Sequence, residues 1–178
     1  MSWFSKKGEI NYLLFPKTRK FVPNKFLNSQ LCRLEELESK EFKYWISKLG
    51  LSWHKHRKLW ELAFICQVLH ENGMLKEGKK GLGFAVGQER LPSFFASLGC
   101  EILATDLPND SELRELWEAS NQYLTSKQIL NTFNLCPQDV FNRNVNIRHV
   151  NMNNIPKDLA EFDFTWSTCS FEHCGSLE

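Results

Sequence analysis

Apolar positions along this chain recur with two different periods, and the change of period divides it. Leu31, Leu34 and Leu37, then Phe42, Trp45, Ile46 and Leu49, return every three or four residues and predict a helix that stops at Gly50. Trp60, Phe64 and Val68 form a second such row, with Ala63 and Cys66 beside it and Gly73 as its stop. After Gly78 the helical period disappears. "GLGFAV" is a short apolar run that suits a strand buried on both faces. A helix from about Glu89 to Leu98 follows, with Pro92 tolerable in its first turn and Gly99 as its cap. "EILATD" reads as a second strand, and Asp110 is placed to cap a helix through "SELRELWEASNQY". A short helical turn at "CPQDVFN" precedes a third strand, "VNIRHVNM", and a fourth, "EFDFTWST". Strands alternating with helices predict an α/β fold with a parallel sheet and right-handed crossovers. Residues 1–28 hold no sustained period and read as an irregular arm. The expected organisation is therefore an N-terminal arm and helical extension over 1–57, then a sheet domain over 58–178.

Composition narrows the class. The 178 residues are 42% hydrophobic and 24% charged, which suits one globular domain with an extension. No apolar run approaches the ~20 residues of a membrane span. The first twenty residues lack the apolar core of a secretory signal, so a cytoplasmic protein is the default expectation. The six cysteines form no C-x-x-C pair. "CSFEHC" has no second half elsewhere, so no metal site is expected and reduced thiols are. Charge is divided: residues 1–80 carry a net +8 and the remainder −7. The basic residues are interspersed with acidic and apolar ones, which disfavours nucleic acid as a partner. Packing of the two halves against each other accounts for the asymmetry.

The turn after the first strand, Ala85-Val86-Gly87-Gln88-Glu89, carries the chemistry. A dinucleotide site would want G-x-G-x-x-G, with main-chain amides aimed at a pyrophosphate. Glu89 would stand about where that pyrophosphate lies, and like charges repel. No Gly-Lys-Ser/Thr occurs, which excludes a P-loop. A zwitterionic ligand with a positive amino group and sulfonium tolerates the acid better. Asp106 follows Gly87 by 19 residues at the end of the second strand, where an acid can accept hydrogen bonds from both ribose hydroxyls. A cofactor-free parallel-sheet protein is also compatible with a Gly and an Asp at these places.

Four segments in order, "FAVGQE", Asp106, "VNMNNIP" and "FDFTWSTCSFEHCGSL", resemble the S-adenosylmethionine-dependent methyltransferases with a seven-stranded, Rossmann-like sheet, in the subgroup acting on small molecules. The resemblance covers roughly Lys58 to Glu178. It implies S-adenosylmethionine as cofactor and a small-molecule or sugar-type acceptor. By that resemblance Ala85, Gly87 and Glu89 form the cradle for the methionine end, and Asp106, followed by Leu107, holds the ribose. Asn151 faces the adenine amino group and the Met152 amide a ring nitrogen, while Ser167 and Thr168 line the pocket near the methyl. Ala85 and Glu89 stand where the family has glycines, and Asn151 where it has an aspartate. For a hydroxyl acceptor, His173 with Glu172 beside it is the candidate general base, since a histidine titrates near neutrality. The family's strand order is 3-2-1-4-5-7-6. Strands 3-2-1-4 are present and the chain ends where the helix after strand four should begin. It therefore reads as the cofactor-binding half of a longer enzyme, strand four being left for a missing half or a second copy to cover. A non-catalytic remnant or binding module and, less favoured, a nicotinamide-dependent Rossmann protein are the alternatives. An N-terminal lid over the cofactor, with Lys55, Arg57 and Lys58 meeting an anionic acceptor, is a further expectation, set against a merely solvated helix face.

Overall fold

The computed structural model describes residues 31–108, 114–120 and 122–175. The N-terminal arm and the capping position Asp110 lie outside them. The single helix predicted up to Gly50 is two helices, α1 (Leu34–Leu37) and α2 (Lys40–Lys48). Ser39 separates them. Its backbone is extended and its Oγ accepts the Phe42 N–H at 3.1 Å, so the residue caps a new helix instead of continuing the old one. Leu31 and Leu34 are accordingly exposed, and burial begins at Leu37. Helix α3 (Arg57–Glu71) packs on α2 and places Leu59, Trp60, Ala63, Cys66 and Leu69 in the interior. Gly50 and Gly73 end the two helices in the left-handed region, at φ 62° and 67°.

Four parallel strands follow, as the alternation of periods predicts, and their order is β3-β2-β1-β4, the one the resemblance implies. They are β1 (Lys80–Phe84), β2 (Glu101–Asp106), β3 (Val145–His149) and β4 (Phe164–Ser167). Helix α4 (Leu91–Ser97) crosses from β1 to β2, and α5 (Arg114–Ala119) and α6 (Gln138–Asn144) lie between β2 and β3. Strand β1 stops at Phe84, two residues before the apolar run does, because Ala85 turns to φ 48°. Gly81 and Gly83 in β1 are demanded by their neighbours in β4. A Cβ on Gly81 would lie 2.4 Å from Phe164 Cζ, and one on Gly83 2.4 Å from Trp166 Cζ2. Those two rings occupy the space beside the glycines, and Phe95 of α4 meets both edge-on, with centroids at 5.8 and 5.2 Å.

At the start of β4, Asp163 fixes its position against β1. It pairs with Lys79 at 2.5 Å and accepts the Lys80 N–H at 2.8 Å. β4 is a sheet edge among the described residues. Its inward residues Phe164 and Trp166 are buried while Thr165 between them is exposed, the alternation of a strand covered on one face. The buried residues of α2, α3, α4 and the sheet form one continuous cluster, from Leu37 to Trp166. The helical extension and the sheet therefore share a core.

Candidate functional site

All four strands point their carboxyl ends at one cavity of about 340 Å³, the place where open parallel sheets bind ligands. The turn after β1 supplies residues 85–89 and the end of β2 supplies Asp106 and Leu107. Val150 to Asn153 follow β3, and Thr168 to Ser170 follow β4 together with His173 and Cys174. Lys58, Glu61 and Leu62 of α3, Trp117 of α5 and Gln122 close the remaining sides.

The turn after β1 is held by its own main chain. Val86, 1% exposed, is its apolar anchor, and its N–H donates to Thr105 O at 3.0 Å. Ala85 and Gly87 both take positive φ, 48° and 51°. For alanine that conformation costs about 1 kcal/mol. At Gly87 a side chain is excluded twice, by φ and by the Gln122 carbonyl oxygen, which would lie 2.2 Å from a Cβ. The glycine thus serves the close passage of a neighbouring loop.

Asp106 is buried, and both of its carboxylate oxygens accept main-chain hydrogen bonds. Its Oδ2 accepts the N–H groups of Gly87 at 3.2 Å and Leu124 at 2.9 Å, and its Oδ1 that of Leu107 at 2.8 Å. Burial pushes its pKa up, and the three amide donors oppose that shift. Leu107 is fixed in turn, since its carbonyl accepts from Tyr123 Oη at 3.1 Å and His149 Nδ1 at 2.8 Å. Oδ1 of Asp106 has a single protein donor, which leaves it acceptor capacity toward the cavity.

Glu89 lines the cavity with its Oε2 accepting the Trp166 indole N–H at 3.3 Å. Burial, above all, pushes its pKa up to about 8; the indole bond opposes this, and the negative charges of Asp106 and Glu61 add to it. Glu61 on the facing helix is tied to Arg57 and accepts the Cys169 thiol at 2.9 Å. Cys169 reaches it from a main chain at φ 49°.

The residues expected from the resemblance are brought together unevenly. Ala85, Gly87, Glu89, Asp106, Leu107, Asn151, Met152, Thr168 and His173 all line the cavity. Asn151 is exposed, and its Oδ1 accepts the Asn153 N–H at 2.9 Å, so its amide oxygen is shared with a local turn. Ser167 does not line the cavity. Its hydroxyl is used within the protein, on Phe84 O at 3.1 Å and on Ser170 Oγ. Glu172 does not line it either. Glu172 and His173 fall in a 3₁₀ turn, Phe171–His173, whose consecutive side chains diverge by about 120°. His173 faces Trp117 edge-on at 5.0 Å between centroids, while Glu172 is exposed away from it.

Sequence reasoning missed Glu61, Leu62, Trp117 and Cys169. Of the three basic residues considered for an acceptor, Lys55 pairs with Glu38 at 2.6 Å and Arg57 with Glu61. Lys58 alone of the three lines the cavity. The legible signal for that wall was Glu61, an acid set between Trp60 and Leu62 beside an apolar row. Among the described residues no cluster of His, Cys, Asp and Glu is arranged for a metal ion, and no helix is long and apolar enough to cross a membrane. Comparison with protein-family models, with curated proteins and with solved structures returns no match.

Proposed function

We propose that the chain is an S-adenosylmethionine-dependent methyltransferase, or the cofactor-binding half of one, that acts on a small-molecule acceptor. The observation that carries this reading is the convergence of the turn after β1, the acid ending β2 and the loops after β3 and β4 on one cavity of about 340 Å³. The donor set suits the cofactor. Asp106 keeps an acceptor site for a ribose hydroxyl, Asn151 and Met152 edge the wall for an adenine, and Ala85, Gly87 and Glu89 border the place for an amino acid end. The lining sets three carboxyl groups, Glu61, Glu89 and Asp106, against one lysine, Lys58, and so offers a pyrophosphate little positive charge.

When bound, the cofactor supplies an electrophilic methyl group on a sulfonium, a reaction that needs alignment more than acid–base help. The chain contributes that alignment through a cavity rooted in the core at Val86 and Asp106. His173, at the wall formed after β4, is the group placed to take a proton from a hydroxyl acceptor. Glu172 lies outside that role.

The test is calorimetric titration of the full chain with S-adenosylhomocysteine, repeated on Asn151→Ala. Asn151 is an exposed residue with one local bond, so the variant folds. Saturable binding, weakened in the variant, supports the proposal; a folded, monodisperse wild-type sample that takes up no ligand overturns it. Asp106→Ala is the poorer test, because it also removes the acceptor of three main-chain amides.

A further inference from the structure

Each carboxylate on the cavity wall has its charge answered within the protein, except one. Asp106 has three main-chain N–H donors. Glu61 has the Arg57 guanidinium and the Cys169 thiol. Glu89 has the Trp166 indole on Oε2, and its Oε1 has no donor among the described residues. The groups that face it share its sign or are apolar: Asp106 from β2, Glu61 from α3, and the buried Cys66 thiol, also from α3. Arg90, next in the chain, is turned away. Its Nη1 donates to Leu49 O and Gly50 O, and its guanidinium carbon lies 3.3 Å from the centre of the Phe133 ring. Lys58 is the lysine of the lining, and it is exposed on the first turn of α3.

A carboxyl group in such a place keeps its proton at neutral pH while no cation is near. A cation entering the cavity reverses the balance, because the charged form then has a partner in a place with little water. We propose that Glu89 is the counter-ion for a ligand ammonium group, and that it takes this role by releasing its proton to solvent as the ligand binds. One O–H bond is broken, the proton goes to buffer, and no other bond changes. The inference rests on the cofactor reading above and adds to it a specificity determinant: the cavity selects ligands by positive charge at the position of Glu89.

The experiment is titration calorimetry at pH 7 in phosphate and in Tris, whose ionisation heats differ, so that the difference in observed heat counts protons. S-adenosylhomocysteine carries the ammonium, and adenosine lacks it. With a pKa of about 8, wild type releases roughly nine-tenths of a proton per S-adenosylhomocysteine at pH 7 and none with adenosine. Glu89→Gln keeps the acceptor for Trp166 and the side-chain shape, and releases none with either ligand. Wild-type affinity for S-adenosylhomocysteine rises roughly tenfold between pH 6 and 7 and levels off above about pH 8, while that of Glu89→Gln stays flat. Equal heats in the two buffers, with binding intact, overturn the proposal and leave the cofactor reading standing. Failure of wild type to bind S-adenosylhomocysteine overturns both.

Discussion

Replacing Gly83 by alanine adds one methyl group at the most crowded point of the sheet. The new Cβ would stand 2.4 Å from Trp166 Cζ2, 2.6 Å from Val86 Cγ1 and 2.8 Å from Trp166 Cε2. The indole has little room to retreat: Phe95 abuts it edge-on at 5.2 Å, Phe164 flanks it at 5.9 Å, and its N–H is held by Glu89. Overpacking of this kind costs about 1–3 kcal/mol, and a contact with two rigid neighbours belongs near the upper end. Alanine recovers about 0.5–1 kcal/mol of backbone entropy relative to glycine in a strand. The net is a loss of about 2 kcal/mol. With a urea slope of about 2 kcal/mol/M, the unfolding midpoint falls by about 1 M at unchanged slope. The assay is urea denaturation followed by circular dichroism. Trp166→Leu removes the ring atoms nearest the new methyl, so the double variant is more stable than the summed single losses imply, by about 1 kcal/mol. A midpoint that does not fall, or a double variant that is strictly additive, would refute the crowding argument.

Other positions give sharper single outcomes. Glu89 has a folded-state pKa raised from its ordinary 4.5 to about 8, so the folded protein binds the extra proton and its stability falls as pH rises through that window. Glu89→Gln removes the decline: its stability relative to wild type grows from pH 5 to pH 8, at a slope of at most about 1.4 kcal/mol per pH unit, read from thermal unfolding across pH. Asp106→Asn sets an NH₂ group against at least one of three main-chain donors, and costs about 3 kcal/mol in urea unfolding. Ser39→Ala loses the cap of α2 and about 1 kcal/mol, seen as a melting temperature lower by about 2–4 °C.

The sheet was legible because short runs such as "GLGFAV" and "EILATD" break the helical period of the residues before them. The alternation of strands and helices gave a parallel sheet, while its order, 3-2-1-4, was available only through the resemblance. Ser39 was not legible as a boundary, since one polar residue inside a periodic row reads as its solvent face. Whether it caps depends on the backbone angle it adopts. The site was legible as a set of loops and less so as a set of roles. An acid at the end of a strand has the same appearance whether it awaits a ligand or bonds the main chain. For Asp106 the deciding partner, Leu124, lies 18 residues further on. Ser167 and Glu172 illustrate the same limit, because their distance from the cavity is set by a Phe84 carbonyl and by the sense of a 3₁₀ turn.

The Asp106 carboxylate also has a consequence for how the molecule opens. Through it, the amides of Gly87, Leu107 and Leu124 are fastened to a single side chain, although Gly87 precedes it by 19 residues and Leu124 follows it by 18. Leu107 bonds its immediate neighbour, but the Gly87 and Leu124 amides gain this partner only when their loops fold against the end of β2. Slow exchange with deuterium at one of them therefore depends on the integrity of the loops that hold the others. Gly87 and Leu124, which share Oδ2, should exchange as one cooperative unit, with a common opening free energy that lies above that of the surrounding loop. Loops that are distant in the sequence are thereby made to breathe together, and the floor of the cavity moves as a piece.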